Sequence, residues 1–260
     1  MRLSPLREAG PVERYGGKAS QLAEALLAGL PVPDGFALDV EGTLAVAAGE
    51  RLEALPEGRW AVRSSAVGED STEASFAGQH LTRLNVPSAE VARALREVHA
   101  SAHAPSALAY RERMGVAGPP RMAVVIQRMV FARVAGVLFT RNPMTGADEL
   151  VVEGAWGLGE SVVAGLVTPD LFRLSPAGEL LEARPGHKDL AVVHLEGGGT
   201  EERPVGPRLH AALCLDAPEL ARLHGLALQV ARVAGAAQDL EWAFDEADAL
   251  FLLQRRGITA

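Results

Sequence analysis

The chain has 260 residues, of which 48% are apolar, so it can bury one large core or two smaller ones, and a small disulfide-stapled scaffold is excluded. Its formal net charge of −8 argues against a nucleic-acid backbone as partner, because such binding requires a broad cationic surface. A single cysteine excludes an intramolecular disulfide and a thiolate metal cage. The sequence shows no signal peptide and no run of about 18 apolar residues, so we expect a cytoplasmic protein with no membrane partner.

The first informative segment lies near the amino terminus, where Lys18 follows Gly16 and Gly17. Lys18 and Lys188 are the only lysines among 25 basic residues, so a lysine after two glycines indicates a position that needs a compact, mobile ammonium. Apolar residues at helical spacing over residues 19–27 predict a helix that the glycines open. Because unpaired N–H groups at a helix start favour an anion, the segment predicts a phosphate site, with an ordinary surface lysine as the alternative.

A second candidate segment surrounds Arg63, which follows the short apolar run at residues 60–62. That run predicts a strand, and an alternating pattern at residues 81–86 predicts the next one. The polar, small-residue stretch 68–79 between them contains Gly78. Loops of this length are uncommon inside compact domains and are usually functional, so Arg63 and Gly78 are further candidates for contact with phosphates.

The middle of the chain alternates between helical and strand patterns. Residues 88–115 have helical spacing, and residues 217–235 form an amphipathic helical pattern. Two short runs rich in β-branched residues, 122–127 and 134–140, predict buried strands, and residues 150–153 predict a third. The chain therefore mixes helices with strands along most of its length.

The last part of the chain predicts a hairpin with polar residues on one face. Strand alternation places Asp239, Glu241 and Ala243 on one face of its first strand. If Asp245 pairs with Leu250 across the turn, Glu241 lies opposite Gln254. Carboxylate and amide oxygens, completed by solvent or phosphate oxygens, are ligands that Mg²⁺ takes. The alternative is a half-exposed sheet with ordinary polar residues outward.

Taken together, six segments resemble the N-terminal nucleotide-binding domain of the phosphoenolpyruvate synthase and pyruvate phosphate dikinase family, to which rifampin phosphotransferase also belongs. They run in the family's order and span nearly the whole chain. The segments are GGKASQLAEALLAGLPVPDGF, WAVRSSAVGEDSTEASFAGQ, VVIQRMV, GVLFTRNPMTG, EGAWGLGESVVAGLVTPD and QDLEWAFDEADALFLLQRR.

The resemblance implies an α+β ATP-grasp fold, in which two α+β lobes close on ATP, with residues 1–120 as the first lobe and 121–260 as the second. It implies ATP and Mg²⁺ as ligands. By motif match, the catalytic and phosphate-binding cations are Lys18 and Arg63. The loop over the phosphates contains Gly78, and the strand beside the adenine contains Gln127. The terminal nucleotide-binding motif contains Asp239, Glu241, Gln254 and Arg256, of which Glu241 and Gln254 are the metal ligands. This division is physically reasonable because catalysis of phosphoryl transfer rests largely on positioning and charge neutralisation.

The chain also departs from the family pattern. Complete members carry a swivelling domain with a phosphorylatable histidine and a substrate domain, and no segment here matches either one. The stretch between Phe36 and Trp60 is shorter than in relatives, which leaves the shape of the first lobe open. Lys188 stands where relatives tend to have a lysine, and we expect a structural salt bridge there.

These features lead to a main hypothesis and two alternatives. The main one is a phosphotransferase module that binds MgATP and donates a phosphoryl group to a histidine on a separate protein. In relatives, that group derives from the β-phosphate of the nucleotide. The first alternative is a non-catalytic ATP-binding sensor or interaction module, and the second is direct phosphorylation of a small molecule.

Overall fold

The computed structural model describes residues 1–68, 70–71, 74–75, 81–113, 115 and 118–258. The chain divides into two compact units. The first unit comprises Met1–Leu27, Pro33–Met129 and the short turn Leu195–Gly199, and the second comprises the rest.

The first unit is built on a five-stranded antiparallel sheet with the strand order β1-β2-β7-β3-β6, and β4 and β5 form a separate pair. Its described strands are β1 (Ser4–Pro5), β2 (Gly35–Leu38), β3 (Arg59–Ala66), β4 (Asp70–Ser71), β5 (Ala74–Ser75), β6 (Thr82–Pro87) and β7 (Met122–Arg128). Its described α-helices are α1 (Val12–Leu27), α2 (Val40–Ala47), α3 (Val91–Ser101) and α4 (Pro105–Arg113).

Alternation along β3 gives the two faces of this sheet different chemistry. Trp60 and Val62 point to one face, where they join a buried apolar cluster with Leu95 and Val98 of α3. Arg63 and Ser65 point to the other face, against which α1 packs. The apolar face therefore stabilises the unit, and the other face carries the candidate residue Arg63.

Strand β7 belongs to the first unit. It pairs with β2 on one side and with β3 on the other, over Met122–Arg128. The division into lobes at residue 120 stays a prediction, but the compact units differ from it in this strand. The reason is that a central strand is assigned by its two hydrogen-bonded neighbours, and a local apolar run does not reveal them.

The second unit contains a six-stranded antiparallel sheet in the order β11-β10-β9-β8-β14-β15, with β12 and β13 as a separate hairpin. Its described strands are β8 (Ala132–Phe139), β9 (Leu150–Trp156), β10 (Asp170–Leu174), β11 (Leu180–Arg184), β12 (Leu190–His194), β13 (Thr200–Pro204), β14 (Gln238–Asp245) and β15 (Leu250–Gly257). Its described α-helices are α5 (Glu160–Val163) and α6 (Ala217–Ala234). The strands predicted at residues 122–127, 134–140 and 150–153 are confirmed as β7, β8 and β9.

Helix α6 covers the apolar face of this sheet. Its start is fixed by a capping box, in which the Asp216 carboxylate accepts from the Glu219 N–H and the Glu219 carboxylate accepts from the Asp216 N–H. The Arg222 guanidinium lies 4.8 Å from the Phe244 ring centre, which places the helix over that strand face. The helix predicted at residues 217–235 is thus confirmed. Among the described residues, no helix has the length and apolarity needed to cross a bilayer.

The terminal hairpin differs from its predicted register near the turn and agrees with it further on. Leu250 pairs with Phe244, whereas the prediction paired it with Asp245. The register then shifts by one residue, because Trp242 pairs with Leu252 and Glu241 pairs with Gln254, which leaves Leu253 as an extra residue. The bulge therefore restores the predicted pairing of Glu241 with Gln254.

Candidate functional site

Helix α1 is broken at Gly16, two residues before Lys18. Gly16 has φ 73° and ψ 167°, outside the helical region, so the helix begins at Val12, breaks and restarts. A Cβ at Gly16 would lie 2.1 Å from the Ser65 carbonyl oxygen, so only glycine fits. The prediction that the glycines simply open a helix is corrected, because a short helical segment precedes them.

Ser65 of β3 holds both sides of this break. Its hydroxyl donates to the Tyr15 carbonyl oxygen at 2.7 Å and accepts from the Ala19 N–H at 3.0 Å. The two bonds replace backbone hydrogen bonds that the helix loses at the break. They also fix the segment containing Lys18 against β3.

Lys18 lies in this fixed segment and is 8% exposed. Within the part of the chain that the structure describes, its ammonium has no carboxylate partner and no hydrogen bond. Burying an ammonium without a partner is costly. The arrangement therefore fits a side chain whose counter-charge is a bound anion.

Arg63 and Gln127 lie on the same face of the first sheet. Arg63, also 8% exposed, pairs with Val125, and Gln127 pairs with Ala61, so the two are diagonal neighbours, about 7–8 Å apart at their Cα atoms. The Gln127 amide donates to the Pro33 carbonyl oxygen at 3.3 Å. A place for Gln127 beside an adenine stays a prediction. The predicted loop residue Gly78 lies outside the described residues.

The polar face of the second sheet begins with an ion pair between Asp239 and Arg256. The Arg256 Nε donates to the Asp239 carboxylate at 2.7 Å, and the two residues pair directly across β14 and β15. Burial raises the pKa of Asp239, and the attraction of Arg256 opposes that rise only in part. Glu241 and Gln254 occupy the neighbouring pair on the same face.

The structure adds Glu153 to this face. Glu153 pairs with Val137 of β8, which pairs with Glu241, so these residues and Gln254 form one row across four strands. Burial, followed by the charge of Asp239, raises the pKa of the Glu153 carboxyl. In the sequence, Glu153 is marked only as a charged residue that follows the apolar run at residues 150–152. Local patterns do not reveal the strand order that places it in one row with Glu241.

The donor atoms of this face suit magnesium. Hard carboxylate and amide oxygens from Glu241 and Gln254 could supply two ligands, and Mg²⁺ usually takes the others from water and phosphates. Over the described ranges, no group of three His, Cys, Asp or Glu residues converges closely enough to hold a metal by itself. A metal here would therefore depend on oxygens that the protein does not provide.

Lys188 is the other lysine, and it forms the expected structural salt bridge. It and Asp170 are both fully buried, and they form an ion pair. The Asp170 carboxylate also accepts from the backbone N–H groups of Gly186 and Cys214, each at 2.7 Å. With all these donors satisfied, the pair fixes two loops to the start of β10.

The family assignment rests on a match over most of the chain. Residues 39–260 match the family model for the pyruvate phosphate dikinase AMP/ATP-binding domain. The chain belongs to this family. The helices and antiparallel sheets of the two units confirm the α+β class that the sequence motifs imply.

Several named proteins are similar to the domain. A probable phosphoenolpyruvate synthase from Methanothermobacter thermautotrophicus is 42% identical over 76% of this chain and 29% of its own length. A rifampicin phosphotransferase from a Streptomyces species is 38% identical over 99% of this chain and 29% of its own length. The prodigiosin synthesizing transferase PigC from Serratia marcescens is 35% identical over 95% of this chain and 32% of its own length. The chain thus spans about a third or less of these relatives.

Distant structural similarity is found in a solved ligase. An L-amino acid ligase from Bacillus licheniformis matches with a TM-score of 0.44 at 10% identity, over 94% of this chain and 43% of that one.

Proposed function

We propose that this domain binds MgATP and transfers a phosphoryl group from it to a histidine on a separate protein. The observation that carries the proposal is Lys18, a buried ammonium that has no partner among the described residues. The AMP/ATP-binding description of the family supports a nucleotide as the ligand. The names of two relatives, a phosphotransferase and a phosphoenolpyruvate synthase, support phosphoryl chemistry.

Lys18 and Arg63 would act on the phosphates in this proposal. Both side chains are 8% exposed, so their charges act in a region with little water, where each contact with an anion is strengthened. They would neutralise phosphate oxygens and hold the nucleotide in line for transfer. Neither would need to act as a nucleophile.

Glu241 and Gln254 would hold Mg²⁺, with Asp239 kept in place by Arg256. When bound, the ion would neutralise charge on the phosphate oxygens. Burial raises the pKa of Glu153 and that of Asp239, so it disfavours the charged form of each carboxyl, and a bound cation would favour that form.

The acceptor histidine is placed on another protein because no segment of this sequence matches the phosphohistidine motif of the family. Six of the seven histidines lie in the described part of the chain. They are His99, His103, His187, His194, His210 and His224. His103 and His187 are exposed, so label on the domain itself is a separate outcome of the test.

A phosphotransfer assay tests the proposal. The domain is incubated with MgATP, labelled separately at the β- and γ-phosphates, and with candidate phosphohistidine-domain proteins. We expect either ADP, or AMP and inorganic phosphate, together with an acid-labile, base-stable phosphoprotein. The neutral variant Lys18→Met should lose this transfer, and Arg208→Gln, which removes an exposed arginine of the second unit, should retain it.

Three other outcomes would change the proposal. ATP binding without turnover in the presence of every acceptor would favour the non-catalytic sensor. Label on the domain itself would move the acceptor into this chain. Failure to bind ATP at all would contradict the proposal.

A further inference from the structure

The turn after β8, Arg141–Gly146, is held in one shape by its own hydrogen bonds. The Asn142 side-chain oxygen accepts from the N–H groups of Met144 at 2.9 Å and Thr145 at 3.1 Å. The Gly146 N–H donates to the Asn142 carbonyl oxygen at 2.9 Å. This is an Asx turn closed by backbone bonds, and it needs no outside contact to form.

A buried carboxylate fixes this turn to the sheet. The Asn142 side-chain nitrogen donates to Glu149 at 2.7 Å, and Glu149 is 5% exposed. Arg173 of β10 binds the two oxygens of Glu149 through separate nitrogens, at 3.0 and 2.7 Å. Bidentate arginine–carboxylate pairs are among the strongest and most directional contacts in proteins. An exposed turn is therefore tied to the sheet through a buried carboxylate.

The turn starts beside the candidate magnesium face. Phe139, the last residue of β8, pairs with Asp239. The Thr140 N–H donates to the Gln238 carbonyl oxygen, and the Thr140 hydroxyl accepts from the Gln238 N–H. Arg141 lies two residues beyond Phe139, about 7 Å along the strand direction, and four residues beyond Val137, which pairs with Glu241. An arginine side chain can cover the distance to Asp239, so a phosphate that it contacts would lie between Arg141 and Glu241.

Arg141 is the charged group that the rigid turn presents. It is exposed, and within the described ranges no hydrogen bond or ion pair holds its guanidinium. Two arginines of the same sheet, Arg173 and Arg256, are instead paired with carboxylates. A cation on a preorganised support next to a phosphate-metal site is arranged to meet an anion.

We propose that Arg141 contacts a phosphate of the bound nucleotide, and that Asn142, Glu149 and Arg173 are positioning residues for it. The inference rests on the proposed function and adds a third phosphate-binding cation to it. The carboxylate network acts through Arg141 and does not touch the nucleotide.

Calorimetric titration with ATP and with adenosine tests the contact. Arg141→Gln should weaken ATP binding about tenfold or more, as expected for loss of a charge-assisted hydrogen bond, and should leave adenosine binding unchanged. Met144→Ala is the matched control, because Met144 is 90% exposed on the same turn and should be replaceable without loss of ATP affinity.

A double-mutant cycle tests the positioning role. Asn142→Asp retains the oxygen that closes the turn but replaces the donor to Glu149 with a like charge. It should weaken ATP binding severalfold in the wild-type background and have no further effect in Arg141→Gln. A merely structural role would lower the unfolding temperature equally in both backgrounds and would leave ATP affinity uncoupled.

The outcomes separate this inference from the function on which it rests. If Lys18→Met loses ATP binding while Arg141→Gln binds like the wild type, the inference is overturned and the proposed function stands. If the wild-type domain does not bind ATP, both are overturned.

Discussion

The chain buries both of its lysines and treats them in opposite ways. Lys188 is fully buried in the second unit, where Asp170 neutralises it and backbone donors complete the Asp170 carboxylate. Lys18 is buried in the first unit beside a broken helix and has no partner among the described residues. A buried charge that is paired within the protein stabilises a local structure, whereas one left without a partner indicates a ligand. Their pairing thus marks Lys188 as a structural cation and Lys18 as a candidate binding cation.

The largest effect is expected from Lys188→Met. It would leave the Asp170 carboxylate buried without its counter-charge, so the free energy of unfolding should fall by about 3–5 kcal/mol. Urea unfolding followed by circular dichroism measures this. The double variant Lys188→Met with Asp170→Asn should recover part of the loss, and no recovery would mean that the pair is not the cause.

Gly16→Ala should have the next largest effect. The substitution places a Cβ 2.1 Å from the Ser65 carbonyl oxygen at a φ of 73°, so it should cost about 2–3 kcal/mol through strain and steric conflict. Gly29→Ala is the control, because Gly29 has φ 76° but nothing within 4 Å of its Cβ position. Equal losses in the two variants would show that Ser65 does not restrict this position.

Two carboxylates, Glu149 just before β9 and Glu153 within it, extend the contrast to the pH dependence of stability. Arg173 and then Asn142 lower the pKa of Glu149 below its ordinary value of 4.5, so its stabilisation is present above that value and is lost as the pH falls. Burial and Asp239 raise the pKa of Glu153, so its contribution is full below 4.5 and is lost as the pH rises.

Urea unfolding of the metal-free domain across this pH range checks both directions. Glu149→Gln should reduce the loss of stability in acid, and Glu153→Gln should reduce the loss above pH 4.5. If both variants reduced the loss of stability on the same side of pH 4.5, the assignment of the two environments would be contradicted.

The smallest effect on stability is expected from Lys18→Met. Removing an ammonium that has no partner in the described chain should leave the free energy of unfolding within about 0.5 kcal/mol of the wild type or raise it. A loss comparable to that of Lys188→Met would show that Lys18 is a structural cation as well.

The sequence predicts where the strands that carry the site residues lie, but it does not predict which strands pair with them in the sheet. The strands around Gln127 and Glu241 were found because their apolar runs are local signals. Placement of β7 beside β2 and β3 was missed, as was Glu153 in the row with Glu241. Both depend on long-range strand pairing, which local patterns do not encode.

The hairpin register shows a second limit. Residues 250–253 are continuously apolar, so their alternation could not reveal that Leu253 is an extra residue. The predicted pairing of Glu241 with Gln254 was nevertheless confirmed, because the observed one-residue offset near the turn and the bulge cancel. Lys188 was correctly expected in a salt bridge, but its partner Asp170 became known only from the fold.

Binding of nucleotide phosphate by the buried Lys18 is tested most directly by calorimetric titration of MgATP into the wild-type and Lys18→Met domains. Circular dichroism first establishes that the two proteins are equally folded. We expect Lys18→Met to bind MgATP at least about tenfold more weakly, because a charge-assisted contact is lost. Equal affinities in two equally folded proteins would contradict it.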